Sequence, residues 1–132
     1  TSIQNVNGSS FDDIIDAAAN EIILHCAGGE HAISGNAGND TINGGGAADQ
    51  LSGQTGDDKI SGAQGNDAIQ GGAGNDWLQG GQGKDTILGQ KGNDRLFGNA
   101  QPDFLNGGPG SDVCKPGSPG LARGDVVVNC ER

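Results

Sequence analysis

Residues 35–115 are nine nonapeptides set end to end without a gap: GNAGNDTIN, GGGAADQLS, GQTGDDKIS, GAQGNDAIQ, GGAGNDWLQ, GGQGKDTIL, GQKGNDRLF, GNAQPDFLN and GGPGSDVCK. Position one is Gly in every copy, from Gly35 to Gly107. Position six is Asp in every copy: Asp40, Asp49, Asp58, Asp67, Asp76, Asp85, Asp94, Asp103 and Asp112. Position eight is Ile or Leu until the last copy, which has Cys114. So short a period restricts the chain to a stacked architecture in which each repeat meets its own copies.

Six residues of each nonamer read as turn and three as strand. Gly and Asn/Asp runs such as Gly71-Gly72-Ala73-Gly74-Asn75-Asp76 supply tight reversals and positive φ. The remaining three, such as Trp77-Leu78-Gln79, place one apolar side chain inward and its neighbours outward if extended. Three residues cannot stand alone as a strand, so copies must stack. Two nonamers then make one flat coil of 18 residues, and successive coils pile up roughly 4.8 Å apart. The expected fold is all-β: a right-handed parallel β-roll, or β-solenoid. One inward aliphatic side chain per nonamer is too little burial to offset the ordering of nine residues, so a metal is expected to supply the difference.

Stacking would bring like carboxylates together along each edge, which is repulsive unless a cation lies between them. Gly-rich turns also leave their backbone carbonyls accessible. Carboxylates and carbonyls without paired His or Cys form a hard oxygen site, better suited to Ca²⁺ than to Zn²⁺. The bland alternative is a ladder of Asp residues that only caps turns.

The phrase G-G-x-G-x-D-x-U-x, carried by these nine copies over about two thirds of the chain, resembles the repeats-in-toxin (RTX), haemolysin-type calcium-binding repeat. The resemblance implies a parallel β-roll with Ca²⁺ between turns 18 residues apart, about five to eight ions in all. The implied ligands are the nine aspartates, with Gly35, Gly53, Gly71, Gly89 and Gly107 on one edge and Gly62 and Gly80 on the other. It also implies an extracellular, secreted or cell-surface bacterial protein, folding where calcium is plentiful.

Alternate nonamers share an edge, so Asp40, Asp58, Asp76, Asp94 and Asp112 form one column and Asp49, Asp67, Asp85 and Asp103 the other. Position four is Gly throughout the first column (Gly38, Gly56, Gly74, Gly92, Gly110), whereas Ala47 and Gln101 interrupt it in the second, with Pro102 beside Gln101. Losing Gly where φ is positive strains a turn and its carbonyls. The four intervals of the first column and 67/85 are therefore expected to bind well, and 49/67 and 85/103 more weakly.

Residues 1–34 read as a worn form of the repeat that caps the N-terminal end with little or no calcium. Gly8, Asp13 and Ile15 keep positions one, six and eight; Ala17 to His25 keeps only Leu24; and 26–34 keeps Gly29 and Ile33 with His31 in place of Asp. The lead-in Ile3-Gln4-Asn5-Val6 is similar to one that precedes first RTX repeats. The tail, 116–132, abandons the repeat: Pro116, Pro119, Gly117, Gly120 and Gly124 read as loop, and Asp125 to Cys130 as a final strand. Cys114 stands at an inward position where a returning Cys130 can meet it, so a Cys114–Cys130 disulfide is expected to staple this non-repeat cap. Cys26 is left over, as a buried thiol or an intermolecular link. Many RTX proteins lack cysteine and end in an export signal, which this tail does not resemble.

Lys59, Trp77 and Arg95 fall at position seven of alternate nonamers and should stack on one outer face, a cation on each side of the indole. Such a face is either a solvated ladder or a platform for an extracellular glycan or protein. Leu88, Phe97 and Phe104 are outward and apolar, expected to pack under the tail. A net charge of −10 argues against nucleic acid and anionic membrane surfaces. No transmembrane stretch or signal peptide is legible, and a start at Thr1 fits a processed product or excised domain. Neither Gly-x-Ser-x-Gly nor His-Glu-x-x-His occurs, and His25, Cys26 and His31 fit no familiar metal spacing, so catalysis is not expected.

The expected function is therefore calcium binding by a module that folds on metal, as a stabilising appendage, adhesin segment or matrix component. An ice-binding surface is the second reading, but its regular outward row is broken: position three reads Ala37, Thr55, Ala73, Lys91, Pro109 beside Asn39, Asn75 and Asn93. The third is the C-terminal appendage of an RTX protease or lipase. The chain is expected to be monomeric, with end-to-end stacking through exposed edges open to it.

Overall fold

The computed structural model describes residues 4–17, 21–117 and 124–131. Among these residues are fourteen strands and no helix: β1 (Gln4–Asn7), β2 (Ile14–Asp16), β3 (Ile22–His25), β4 (Ala32–Ser34), β5 (Thr41–Gly45), β6 (Gln50–Thr55), β7 (Lys59–Gln64), β8 (Ala68–Ala73), β9 (Trp77–Gln82), β10 (Thr86–Lys91), β11 (Arg95–Ala100), β12 (Phe104–Asn106), β13 (Val113–Lys115) and β14 (Val126–Val128). Odd-numbered strands form one sheet and even-numbered strands the other, each in chain order. Every pairing is parallel, as in Lys59 with Trp77 and Trp77 with Arg95 on one sheet and Leu51 with Ile69 on the other. The chain is a parallel β-solenoid whose coil is two nonamers.

The strands are longer than a three-residue reading allows. β6 to β11 have six residues each, running from position seven through position three of the next copy. Glycines such as Gly80 and Gly81 extend the ladder because the neighbouring coils offer them backbone partners. Only positions four to six are left as turn. Position two bends the strand with positive φ even where it is not Gly, as at Gln54 (78°) and Gln90 (77°).

Position eight points inward from both sheets. Ile42, Ile60, Leu78 and Leu96 face Leu51, Ile69, Ile87 and Leu105, all at most 2% exposed. The file continues through Leu24 and Ile33 in the worn repeats, whose strands keep the same register, with Ile22 buried beside it at position six. Each of these side chains contributes about 2 kcal/mol by burial. At the N-terminal end Phe11 and Ile14 are left exposed. At the other end Cys114 and Cys130 form the expected disulfide, Cα atoms 5.8 Å apart. Cys26 is free and buried.

Two expectations about the outer face need correction. The Trp77 indole has Arg95 on it, 6.0 Å from the ring centroid, but its other partner is Phe97, stacked at 4.7 Å, and not Lys59. Phe97 lies two residues along the strand paired with β9, within reach of a large ring on the same face, and Lys115 covers it from the far side at 5.7 Å. Among the described residues Phe97 is thus held by side chains of its own sheet. Phe104 does lie beside the tail, paired in register with Val126, whereas Leu88 pairs with Asn106. Ile3, Pro119 and Gly120, read above as lead-in and loop, lie outside the described residues.

Candidate metal centres

The last residue of each turn, at position six, turns its side chain back into the stack. All nine aspartates are at most 2% exposed. The backbone N–H of seven of them donates to Oδ1 of the aspartate one coil further on. In the first column Asp40 donates to Asp58, Asp58 to Asp76 and Asp94 to Asp112 at 2.8 Å, and Asp76 to Asp94 at 2.9 Å. In the second, Asp49 donates to Asp67, Asp67 to Asp85 and Asp85 to Asp103, each at 2.9 Å. One oxygen of each carboxylate is thereby used. The other, Oδ2, is buried without a partner at all nine positions. A buried, unpaired carboxylate oxygen is costly, and two straight files of them call for a cation.

Position one explains why it must be Gly. A Cβ on Gly53 would collide with Oδ2 of Asp58 and lie 2.8 Å from the carbonyl oxygen of Gly71, one coil on. The same convergence pairs Asp40 with the Gly53 carbonyl, Asp76 with that of Gly89 and Asp94 with that of Gly107. Each first-column Oδ2 thus shares its cradle with a carbonyl of the next coil. In the second column the Gly62 carbonyl approaches the cradle of Asp49, whereas around Gly62, Gly80 and Gly98 the nearest atoms all belong to the local aspartate. Gly35 and Gly80 supply space for Asp40 and Asp85.

Among the described residues no three His, Cys, Asp or Glu side chains converge as a metal cluster. A cation here would take no more than two of these carboxylates and complete its shell from carbonyls. That donor set is all hard oxygen, and it fits Ca²⁺. Burial, opposed by the amide hydrogen bond and aided by neighbouring carboxylates, raises Asp58, Asp67 and Asp85 to about 6 and Asp76 to about 7. Burial likewise raises Asp40, Asp49, Asp94 and Asp103. These carboxylates favour a bound proton or cation over bare charge.

The two columns also differ at position four. Ala47 and Gln101 hold the left-handed φ that Gly holds elsewhere, at 69° and 76°. Gln101 further intrudes with its own side chain, whose Oε1 accepts from the N–H of Gly83. In the corresponding first-column turns that N–H bonds a backbone carbonyl, as Gly74 does to Lys91.

A second ladder at position five was not read from the sequence as structural. Asn39 Oδ1 accepts from the N–H of Asp57, Asp57 from Asn75, Asn75 from Asn93 and Asn93 from Ser111, at 2.7–2.9 Å. It runs opposite to the aspartate ladder and ties each turn to the next. The recurrence of Asn or Asp at position five was its signal.

The worn repeats keep the ladder and change its chemistry. Ile22 and His31 occupy position six and donate their N–H groups to Asp40 and Asp49. His31, itself buried, accepts from the N–H of Asp13 through Nδ1 at 3.2 Å, as an aspartate Oδ1 would. Cys26 fills position one of the same repeat, and burial raises its thiol. One coil of the second column therefore has a thiol and an imidazole where the others have Gly and a carboxylate. His25 is exposed.

A family model described as the RTX calcium-binding nonapeptide repeat matches residues 32–60, 61–96 and 88–118. No curated protein and no solved structure matches the chain.

Proposed function

The chain belongs to the family of RTX calcium-binding nonapeptide-repeat proteins, whose repeats bind calcium, and from that premise we propose that metal binding and folding are here one event. The observation that carries this reading is the set of nine buried Oδ2 atoms without partners. Folding the roll without metal isolates these oxygens from water, whereas Ca²⁺ between successive turns neutralises them and joins one coil to the next. Chain ordering and ion binding then share a single free energy. Asp40, Asp58, Asp76, Asp94 and Asp112 hold the ions of the first column with carbonyls such as those of Gly53, Gly71, Gly89 and Gly107. The 67/85 interval serves the second column, and 49/67 and 85/103 bind more weakly.

Sites of this kind suit a secreted or cell-surface bacterial protein. Extracellular calcium modules bind with dissociation constants of about 10⁻⁴–10⁻³ M, and a chain of that affinity stays unfolded before export and stacks after it. The folded roll is a structural part: a stabilising appendage, an adhesin or matrix segment, or the calcium-binding end of a larger enzyme. No catalytic step is assigned to it.

Calorimetric calcium titration of Asp76→Ala and Asp49→Ala tests the assignment. Asp76→Ala is expected to weaken binding by about tenfold or more, and Asp49→Ala by less. Wild-type affinity in Asp76→Ala would overturn the reading; equal losses in both variants would overturn the ranking of the columns.

A further inference from the structure

The tail rejoins the coil at its far end, and the residue at which it does so is an aspartate. Gly117 stacks on Asn99, in the eighteen-residue step of all earlier coils. Beyond the turn the step is longer: the N–H of Asp103 donates to Oδ1 of Asp125, 22 residues away, at 2.8 Å. After that excess of four residues the register is restored. Val126 donates its N–H to the Asp103 carbonyl at 2.8 Å, as Phe104 does to Asp85. β14 then pairs with β12 in parallel. Asp125 thus occupies position six of the second column, although it lies beyond both the nonapeptides and the family match.

Its carboxylate repeats the pattern of the others. Oδ1 is used in the ladder, and Oδ2 is shielded from solvent without a partner among the described residues. The aspartate facing it, Asp103, is 2% exposed, and its own Oδ2 is also unpartnered. Gln101 keeps the turn of Asp103 in the left-handed conformation that position four requires. The disulfide from Cys114 to Cys130 closes five residues past Asp125 and holds this strand against the stack.

We infer that Asp125 is a further calcium ligand, extending the second column by one interval, 103/125. This deepens the calcium reading above and rests on it. The tail is therefore more than a lid over the hydrophobic file: it contributes a carboxylate to the last coil, and the disulfide keeps that carboxylate in register.

Calcium counted by equilibrium dialysis of the full chain at saturating Ca²⁺ tests this with Asp125→Asn. The amide oxygen still accepts from Asp103, so the ladder is kept while the charge is lost, and circular dichroism checks that the roll is intact. Asp125→Glu, which keeps a carboxylate, serves as the folding control and is expected to bind the wild-type number. The expected result is one ion fewer for Asp125→Asn with an unchanged β spectrum. An unchanged ion count in folded Asp125→Asn would overturn this inference alone, leaving Asp125 as a hydrogen-bonding cap. Absence of calcium from the wild-type chain would overturn the parent reading, and this one with it.

Discussion

A methyl group on Gly53 would lie 2.8 Å from the Gly71 carbonyl oxygen and closer still to the Asp58 carboxylate. Neither can withdraw, because one is backbone and the other is held by the N–H of Asp40. Gly46 is also a repeat glycine, but a methyl there would have nothing nearer than the Ala27 carbonyl at 3.6 Å. Gly53→Ala is therefore expected to lower the stability of the calcium-loaded roll by about 1–3 kcal/mol, the usual cost of overpacking, and Gly46→Ala to leave it nearly unchanged. Thermal melts of the two variants in calcium check this, and equal midpoints would contradict it. The same pair shows what a repeat consensus conveys: invariance at position one was plain, but its cause, room for the carboxylate of the same repeat, needed the packed coil. Asp125 was illegible for a different reason. It stands 22 residues from Asp103, so a search at a period of nine or eighteen passes over it.

Each column of aspartates behaves as one element, and its response to pH follows from burial. From the ordinary value of 3.8 up to about 6 for Asp58, Asp67 and Asp85, and up to about 7 for Asp76, these four hold protons in the folded metal-free ladder that the unfolded chain has released. Its stability is thus highest in acid, falls as pH rises from 3.8 through about 6–7, and stays low above that. In chelator the β signal is expected to be larger at pH 5 than at pH 8, with calcium abolishing most of the difference. A chelated protein more ordered at pH 8 would contradict the burial of these groups. The strands around the ladders were only half legible. Residues such as Trp77-Leu78-Gln79 announced themselves by alternation, whereas Gly80-Gly81-Gln82 looks like a turn in isolation and is extended because adjacent coils pair with it. The disulfide was easier to read, because Cys114 interrupts an otherwise regular Ile/Leu position.

Over the whole molecule two narrow files of aliphatic side chains run between two columns of buried carboxylates, closed at one end by the Cys114–Cys130 staple. The apolar files set the register, and the carboxylates make the folded state depend on what neutralises them. The worn coil with Cys26 and His31 continues the stack without the Gly and Asp pair. The coil period, the inward file and the aspartate columns were all open to reading from residue types alone. The sideways pairing of Trp77 with Phe97 was not, since it depends on ring contacts across a register that has first to form. Whether calcium binding and folding are one event is decided by circular dichroism of the chelator-treated chain during titration with Ca²⁺, with Mg²⁺ as the control. A cooperative gain of β signal is expected at sub-millimolar to millimolar Ca²⁺ and none with Mg²⁺, whose octahedral demand a carbonyl-rich cradle does not meet. A full β spectrum in chelator at neutral pH, unchanged by calcium, would contradict it.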